Sequence, residues 1–465
     1  MAQLRRGAAA AALPFLIILI SSLAATAQQP AWTVRPEWVR AHEQFLAGDL
    51  LRGRGSATPD EGIAAEYVGA QFEAYGLHPV DGGYVKTIPL VETTLDGHST
   101  LRAGSTELQE GPDYALLRAA GRSVTAPLQK IAWAGVDKAQ ATKGAAVLIA
   151  DEVPESAMRE LYMAASRLAD EGAAAVLVNS PALREMFEKR GGGRPASSLR
   201  MKDAPNEDKM NLIVLTPAAA KKAAQLAEGT LVALSVHGTE RPRYTYNAIG
   251  VLPGSDPQAK PLLLTAHLDH LGVGRPVDGD AIYNGANDDA SGTTVVLELA
   301  RALAAGPRLR RTVYFVCFGS EERGQFGDRY FRDHPPVPLT SFAANLEFEM
   351  LAEQDPGLAR GKMFLTGWER SNLGPALQQH GAHILPDPYP KQHYFQRSDN
   401  YTLAKAGVVA QTVGSANMEH YHKPSDDLAH ADLGLLRDVI QSLIEPVRWL
   451  ANSDFTPQWN PGGRP

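Results

Sequence analysis

Two near-continuous apolar runs, Leu262 to Ala266 and Thr312 to Phe318, enclose the segment Ser291 to Ala304, in which Val296, Leu299, Ala300 and Leu303 recur at i, i+3, i+4 and i+7. Strand, amphipathic helix, strand is a crossover unit, and such a crossover requires the two strands to run parallel in one sheet. Strands apolar at nearly every position are buried on both faces. The fold class this predicts is α/β: a mixed, largely parallel central sheet flanked by helices. In open sheets of this kind ligands collect at the carboxyl ends of the strands, so those ends are where function should be sought.

Other segments extend the picture. From Glu61 to Tyr75 apolar residues recur at helical spacing with Gly76 as a stop, and Leu436, Val439, Ile440, Leu443 and Val447 mark a final helix. Between about Val124 and Val236 the texture changes to short apolar runs (Ala145 to Ala150, Ala173 to Val178, Leu212 to Leu215, Leu231 to Val236) around a helical stretch near Ser156 to Glu171, which reads as a small inserted α/β domain. The loop from Lys189 to Asp208 reads as solvent-exposed. At 465 residues the chain is long enough for two or three domains. The expected division is 28–123 and 239–455 as the main domain, 124–238 as the insertion and 456–465 as a flexible tail.

Arg5 and Arg6, the apolar run from Ala8 to Leu23 and Ala25-Thr26-Ala27 have the pattern of a secretory signal peptide spanning 1–27. Cleavage after Ala27 predicts a secreted or periplasmic protein. Pro14 interrupts the run, which falls short of the ~20 residues a membrane span needs, so no stable span is expected after cleavage. Gln28, rather than Cys, follows the site and argues against a lipid anchor. Cys317 is the single cysteine, so no intrachain disulfide can form. With 45 Lys+Arg against 52 Asp+Glu the formal charge is -7, and nucleic acid is not expected as a partner.

Polar residues gather where the apolar runs end. His267-Leu268-Asp269-His270 follows the first run, and a carboxylate two residues after a histidine can fix its tautomer for metal binding. The Gly-bearing turn Asn284 to Gly292 delivers Asp288 and Asp289 to the start of the helix. One acid suffices as the helix cap. We take Asp288 as a carboxylate able to bridge two cations and Asp289 as the cap or a supporting group. Gly319-Ser320-Glu321-Glu322 follows the second run, and paired anions at a sheet edge repel unless a cation or proton compensates them. Adjacent side chains diverge, so Glu322 is assigned to a metal and Glu321 to proton transfer. Glu347 and Glu349 share one face of the strand Phe342 to Met350 by the period of two, and spacing alone does not choose between them. Glu419 to Asp427 forms a loop with two histidines, His420 and His422. A set of imidazoles and carboxylates suits divalent cations, with zinc favoured by the imidazoles.

These segments resemble the co-catalytic zinc aminopeptidases, metallopeptidase family twenty-eight: AHLDHLG (266–272), NGANDDASG (284–292), GSEERG (319–324), NLEFEM (345–350), RSDNYTLAKAGV (397–408) and YHKPSDD (421–427). The resemblance spans roughly residues 243–430. It implies two Zn2+ ions, one held by His267, Asp288 and Glu349, the other by Asp288, Glu322 and His422, with Glu321 as general base. Tyr421 matches a family tyrosine that hydrogen-bonds the tetrahedral intermediate. The family often has Asp where Glu349 stands, and alignment on the following Met selects Glu349 over Glu347. Asn400 stands where many relatives have His, a change expected to act on the substrate rim. Residues 124–238 resemble, more weakly, the protease-associated domain inserted in many members. The implied activity is hydrolysis of peptides or proteins at a free N-terminus. A carboxypeptidase with Arg397 as clamp, a one-zinc glutaminyl cyclase and a non-catalytic ectodomain of the transferrin-receptor kind are the alternatives on the same fold.

Overall fold

In the computed structural model, residues 32–96, 98–119, 123–191, 197–203 and 211–465 are described. The expected signal peptide at 1–27 lies outside them. Among the described residues no helix is long and apolar enough to cross a membrane.

Among the described residues nine strands form the larger sheet, in the order Ile384–Pro386, Met363–Leu365, Ala410–Gly414, Ala344–Glu349, Leu262–His267, Val313–Phe318, Gly238–Leu252, Val85–Leu95 and Ser197–Met201. Four of them, from Ala410–Gly414 to Val313–Phe318, are mutually parallel, so their carboxyl ends lie along one edge. Val313–Phe318 and Leu262–His267 are buried at every residue, as their unbroken apolar sequences require. The helix between them spans Ser291–Ala304, with Gly292 at its second residue. A Cβ at Gly292 would lie 2.0 Å from the carbonyl oxygen of Phe348, so glycine is what lets the helix start press against the neighbouring strand. Alternate residues of the strands face opposite layers. Phe315 meets Phe72 of the helix Pro59–Ala74 at 6.2 Å. Leu263, Val316 and Phe318 pack on the other side with Phe331, Phe395 and Leu403.

A second sheet, of eight strands among the described residues, runs Thr106–Gln109, Thr100–Ala103, Leu231–Ser235, Val124–Lys130, Ala146–Glu152, Ala175–Asn179, Leu212–Leu215 and Tyr114–Arg118. Its two faces are covered by separate apolar clusters, one including Ala219, Ala220 and Ala223, the other Leu161, Ala165 and Leu168.

Three readings of the sequence change here. The second sheet begins at Thr100, not near Val124, because the antiparallel pairs Thr100–Ala103 with Leu231–Ser235 and Tyr114–Arg118 with Leu212–Leu215 complete its edges. Within the segment read as an exposed loop, Ser197–Met201 is an edge strand of the larger sheet, paired with residues 90–94. Its alternating Leu199 and Met201 are buried beside Ile88 and Leu90. The tail is docked: Trp459 bridges to Ser371 and meets the Phe395 ring at 6.3 Å, and Arg370 Nη1 donates to the Gly463 carbonyl at 3.0 Å.

Candidate metal centre

His267 is the last residue of its strand and Glu349 the last of the neighbouring one, while Glu321 and Glu322 follow Phe318 and His422 follows Gly414 by eight positions. The parallel order of the four strands brings these ends together. Asp288 reaches the same edge from the irregular turn Ala286–Ala290, whose Asp288–Asp289 peptide is cis. Ser320, Met350 and His422 all adopt positive φ (55°, 57° and 56°), a conformation that costs non-glycine residues about 1–3 kcal/mol and concentrates at functional sites.

One ligand atom each from His267, Asp288 and Glu349 lies within 4.8 Å of the others, and the same holds for His270, Asp288 and Glu322. His267 Nε2 is 3.1 Å from Asp288 Oδ1, and His422 Nε2 is 3.3 Å from Asp288 Oδ2 and 3.1 Å from Glu322 Oε2. Yet His267 Nε2, His422 Nε2 and Glu322 Oε1 have no hydrogen-bond partner of proper direction among the described residues. Ring nitrogens and carboxylate oxygens this close, converging without aiming at each other, have the arrangement of lone pairs directed at common cations. The donor set therefore fits divalent cations of the zinc type.

The supporting groups explain why the ligands stay in place. His267 Nδ1 lies 3.2 Å from the Asp269 carbonyl oxygen, which can only accept, so Nδ1 carries the proton and Nε2 is left free as a ligand atom. The Asp269 carboxylate, expected to fill that role, is 3.7 Å away. It instead accepts from the Glu321 N–H at 2.9 Å and from Ser56 Oγ at 2.5 Å, tying the end of one strand to the next. Asp289 is both cap and tie: Oδ1 accepts from Gly292 at 2.9 Å and Met350 at 3.2 Å, and Oδ2 from the His267 N–H at 3.3 Å.

Burial dominates the electrostatics. It pushes the Glu321 carboxyl well above the usual range, with Glu322 and Glu349 adding to the rise against the pull of His267. Such a carboxyl holds a proton more readily than one in water. Asp288 is held well below the usual range despite its burial, because the His267 and His422 rings stabilise its anion.

Tyr421 stacks on His422 with ring centroids 3.7 Å apart and lines a cleft. Asp288, Glu321, Glu322 and Glu349 form one wall of this cleft, and Phe364, Tyr394, Met418, Thr412 and Arg397 are among the residues of the rest. Asn400 does not reach the rim. It is buried, its amide donating to the Phe395 and Ala410 carbonyls at 3.3 Å and its Oδ1 accepting from Thr412 at 3.0 Å. Glu347 shares its strand face with Glu349 but lies deeper, and only Glu349 falls in a ligand group.

Three contributors were missed in the sequence. His270 stands in the His-Leu-Asp-His motif beside residues already singled out. Asp426, in the last motif, accepts from the Asn287 and Asp288 N–H groups at 2.6 and 3.0 Å and so clamps the turn that carries Asp288. Arg54 is fully buried and hydrogen-bonds four carbonyls, of Leu46, Leu268, Asn284 and Gly285. The first two had visible signals as charged residues within a motif, whereas Arg54 had none.

Residues 247–446 match the family model of Peptidase family M28. Among curated proteins the chain is similar to leupeptin-inactivating enzyme 1 of Streptomyces exfoliatus, at 32% identity over 114 residues that make up 24% of each chain. It is also similar to aminopeptidase YwaD of Bacillus subtilis, at 40% over 68 residues, 15% of each. The matched stretches thus span less than a quarter of these relatives. Among solved structures it resembles an aminopeptidase from Aneurinibacillus sp. strain AM-1, with a TM-score of 0.56 at 20% identity over 92% of this chain and 96% of that one. The zinc aminopeptidase BSAP from Bacillus subtilis gives 0.52 at 18% identity over 90% and 96%. At these identities the structural likeness establishes the fold.

Proposed function

We propose, from the premise that this chain belongs to peptidase family M28 through residues 247–446, that it is an exported two-zinc aminopeptidase releasing residues from the free N-terminus of peptides. The observation that carries this reading is the convergence of partnerless imidazole and carboxylate atoms on the shared Asp288, with Glu321 beside them. His267, Asp288 and Glu349 would hold one ion and Asp288, Glu322 and His422 the other. When bound, the two ions supply a water of lowered pKa and polarise the scissile carbonyl.

The chain's own residues do the rest. Glu321 takes the proton of the attacking water and returns it to the leaving amine, a task for which its buried, raised carboxyl is suited. Its backbone N–H, held by Asp269 at 2.9 Å, fixes where that carboxyl starts from. Tyr421, stacked on His422 at the cleft wall, offers its hydroxyl to the oxygen that becomes anionic. The surrounding carboxylates attract the substrate's ammonium group and place the first peptide bond beside Glu321. We read the second sheet as the inserted protease-associated domain, and export from the N-terminal sequence pattern.

Arg397 favours a second reading. It lines the cleft without a carboxylate partner among the described residues and could clamp a terminal carboxylate, as a carboxypeptidase requires. Measuring zinc per chain and then hydrolysis of aminoacyl substrates against N-blocked ones separates the readings. Two zinc ions and cleavage confined to free amines are expected. Cleavage of N-blocked peptides from the carboxyl end would replace the aminopeptidase reading with the second, and a chain that binds no zinc would overturn both.

A further inference from the structure

His270 is fully buried, yet neither ring nitrogen has a hydrogen-bond partner among the described residues. An unsatisfied buried polar atom costs roughly 1–3 kcal/mol, so the fold holds this ring in place against a penalty that something must offset. Its Nδ1 lies 2.9 Å from Glu322 Oε1, itself partnerless, and 3.9 Å from Asp288 Oδ2. Two atoms bound at ~2.0–2.1 Å to one zinc ion sit about 2.9–3.4 Å apart for angles between right and tetrahedral. The Nδ1 to Oε1 separation falls within that interval while lying off the hydrogen-bond direction.

The ring's position is built in from several sides. The His270 N–H donates to the Arg54 carbonyl at 3.1 Å, and its own carbonyl accepts from Ser56 at 3.2 Å. Behind the ring, Gly285 has φ +65°, and a Cβ there would lie 2.5 Å from His270 Cγ. The rings of His270 and His422 approach edge to face, with centroids 5.7 Å apart, His270 beside Oε1 of Glu322 and His422 beside its Oε2.

We propose that His270 is a further protein ligand, through Nδ1, of the ion assigned to Asp288, Glu322 and His422; this rests on the two-zinc reading above. The two ions then differ in kind. One has a single imidazole and two carboxylates, and keeps an open position. The other has two imidazoles and two carboxylates, a complete protein shell of the sort found in tightly held zinc sites. Because imidazole selects zinc over the harder cations, the His270 ion is the retained one and the His267 ion exchanges first.

The test uses the full zinc-loaded chain and its His270→Gln and His270→Ala variants. Titration with a chromophoric chelator should strip wild type in two steps, and the variants should lose the tighter step. The expected fall in affinity at that step exceeds the 10–100-fold that loss of an outer-shell partner of a ligand produces. Nitrogen NMR of histidine rings in the cobalt-loaded wild type should show three paramagnetically shifted imidazoles. Two shifted rings, or variants that keep both steps unchanged, would overturn the assignment while leaving the two-zinc reading intact. A wild type that binds one ion or none would refute that reading itself. Should the variants fail to match the melting of metal-free wild type, the ring count in wild type decides alone.

Discussion

Replacing Arg54 by methionine should destabilise the chain by several kcal/mol and loosen its metal centre together. The guanidinium is fully buried and donates through Nε to Leu268 O at 2.9 Å, through Nη1 to Leu46 O at 2.5 Å and Asn284 O at 2.6 Å, and through Nη2 to Gly285 O at 2.9 Å. Methionine refills most of the volume but satisfies none of the four carbonyls. At about 1–3 kcal/mol for each stranded acceptor the loss is roughly 4–12 kcal/mol. Removal of a buried charge offsets part of that, leaving the low end, about 4 kcal/mol, as the expected net effect. That is a large fraction of the roughly 5–15 kcal/mol available to a typical domain. Glu43, Asp426, Asp269 and Asp289 would also lose the positive charge they share. Because Leu268 precedes Asp269, and Asn284 and Gly285 lead to Asp288, zinc affinity should fall as well. Arg54→Lys keeps the charge without the planar fork and should fall between. Urea unfolding of the metal-free chain, followed by circular dichroism, reads the stability, and chelator titration reads the affinity. An Arg54→Met chain within 1 kcal/mol of wild type, with unchanged zinc affinity, would show that these carbonyls do not depend on the guanidinium.

Three further predictions concern charge and metal. Glu321→Gln should lower kcat by about 10²–10⁴-fold while zinc per chain stays at the wild-type level; a variant with full turnover removes Glu321 from proton transfer. Glu43, fully buried against Thr294, has its carboxyl pushed up by burial from 4.5 to about 8. A folded-state value above the unfolded one means that its contribution is complete below about pH 4.5 and is lost as pH rises toward 8. Glu43→Gln should therefore gain on wild type across that interval, by up to roughly 5 kcal/mol at 1.36 kcal/mol per tenfold, and parallel pH–stability curves for the two chains would contradict this. Stripping zinc should lower the melting temperature, since an ion at 100 times its Kd adds about 2.7 kcal/mol per site; a midpoint indifferent to chelator would argue against a folded-state metal centre.

Where sequence reasoning worked and where it stopped follows from the range of the forces involved. Local periodicity located the helix Ser291–Ala304 and the strands on either side of it, because each pattern answers to the two sheet layers that bury it. The Arg54 hub was beyond reach. Arg54 serves carbonyls up to 231 positions away in sequence, and no pattern of neighbours encodes a contact of that range. The edge strand Ser197–Met201 failed for a related reason, since an edge strand earns its structure from a partner, here Val85–Leu95, rather than from its own composition.

From its residues alone, this chain determined that a parallel α/β sheet would present histidines and carboxylates at its strand ends, because periodicity and motif order are properties of the linear chain. Only the tertiary structure decided which atoms face one another: that the Asp269 backbone carbonyl, rather than its carboxylate, sets the His267 tautomer, that Glu349 reaches the site while Glu347 stays deeper, and that His270 turns its free nitrogen to Glu322. Those choices are settled by strand order and by ångström-scale approach across the sheet edge, and neither is written in the spacing of residues along the chain.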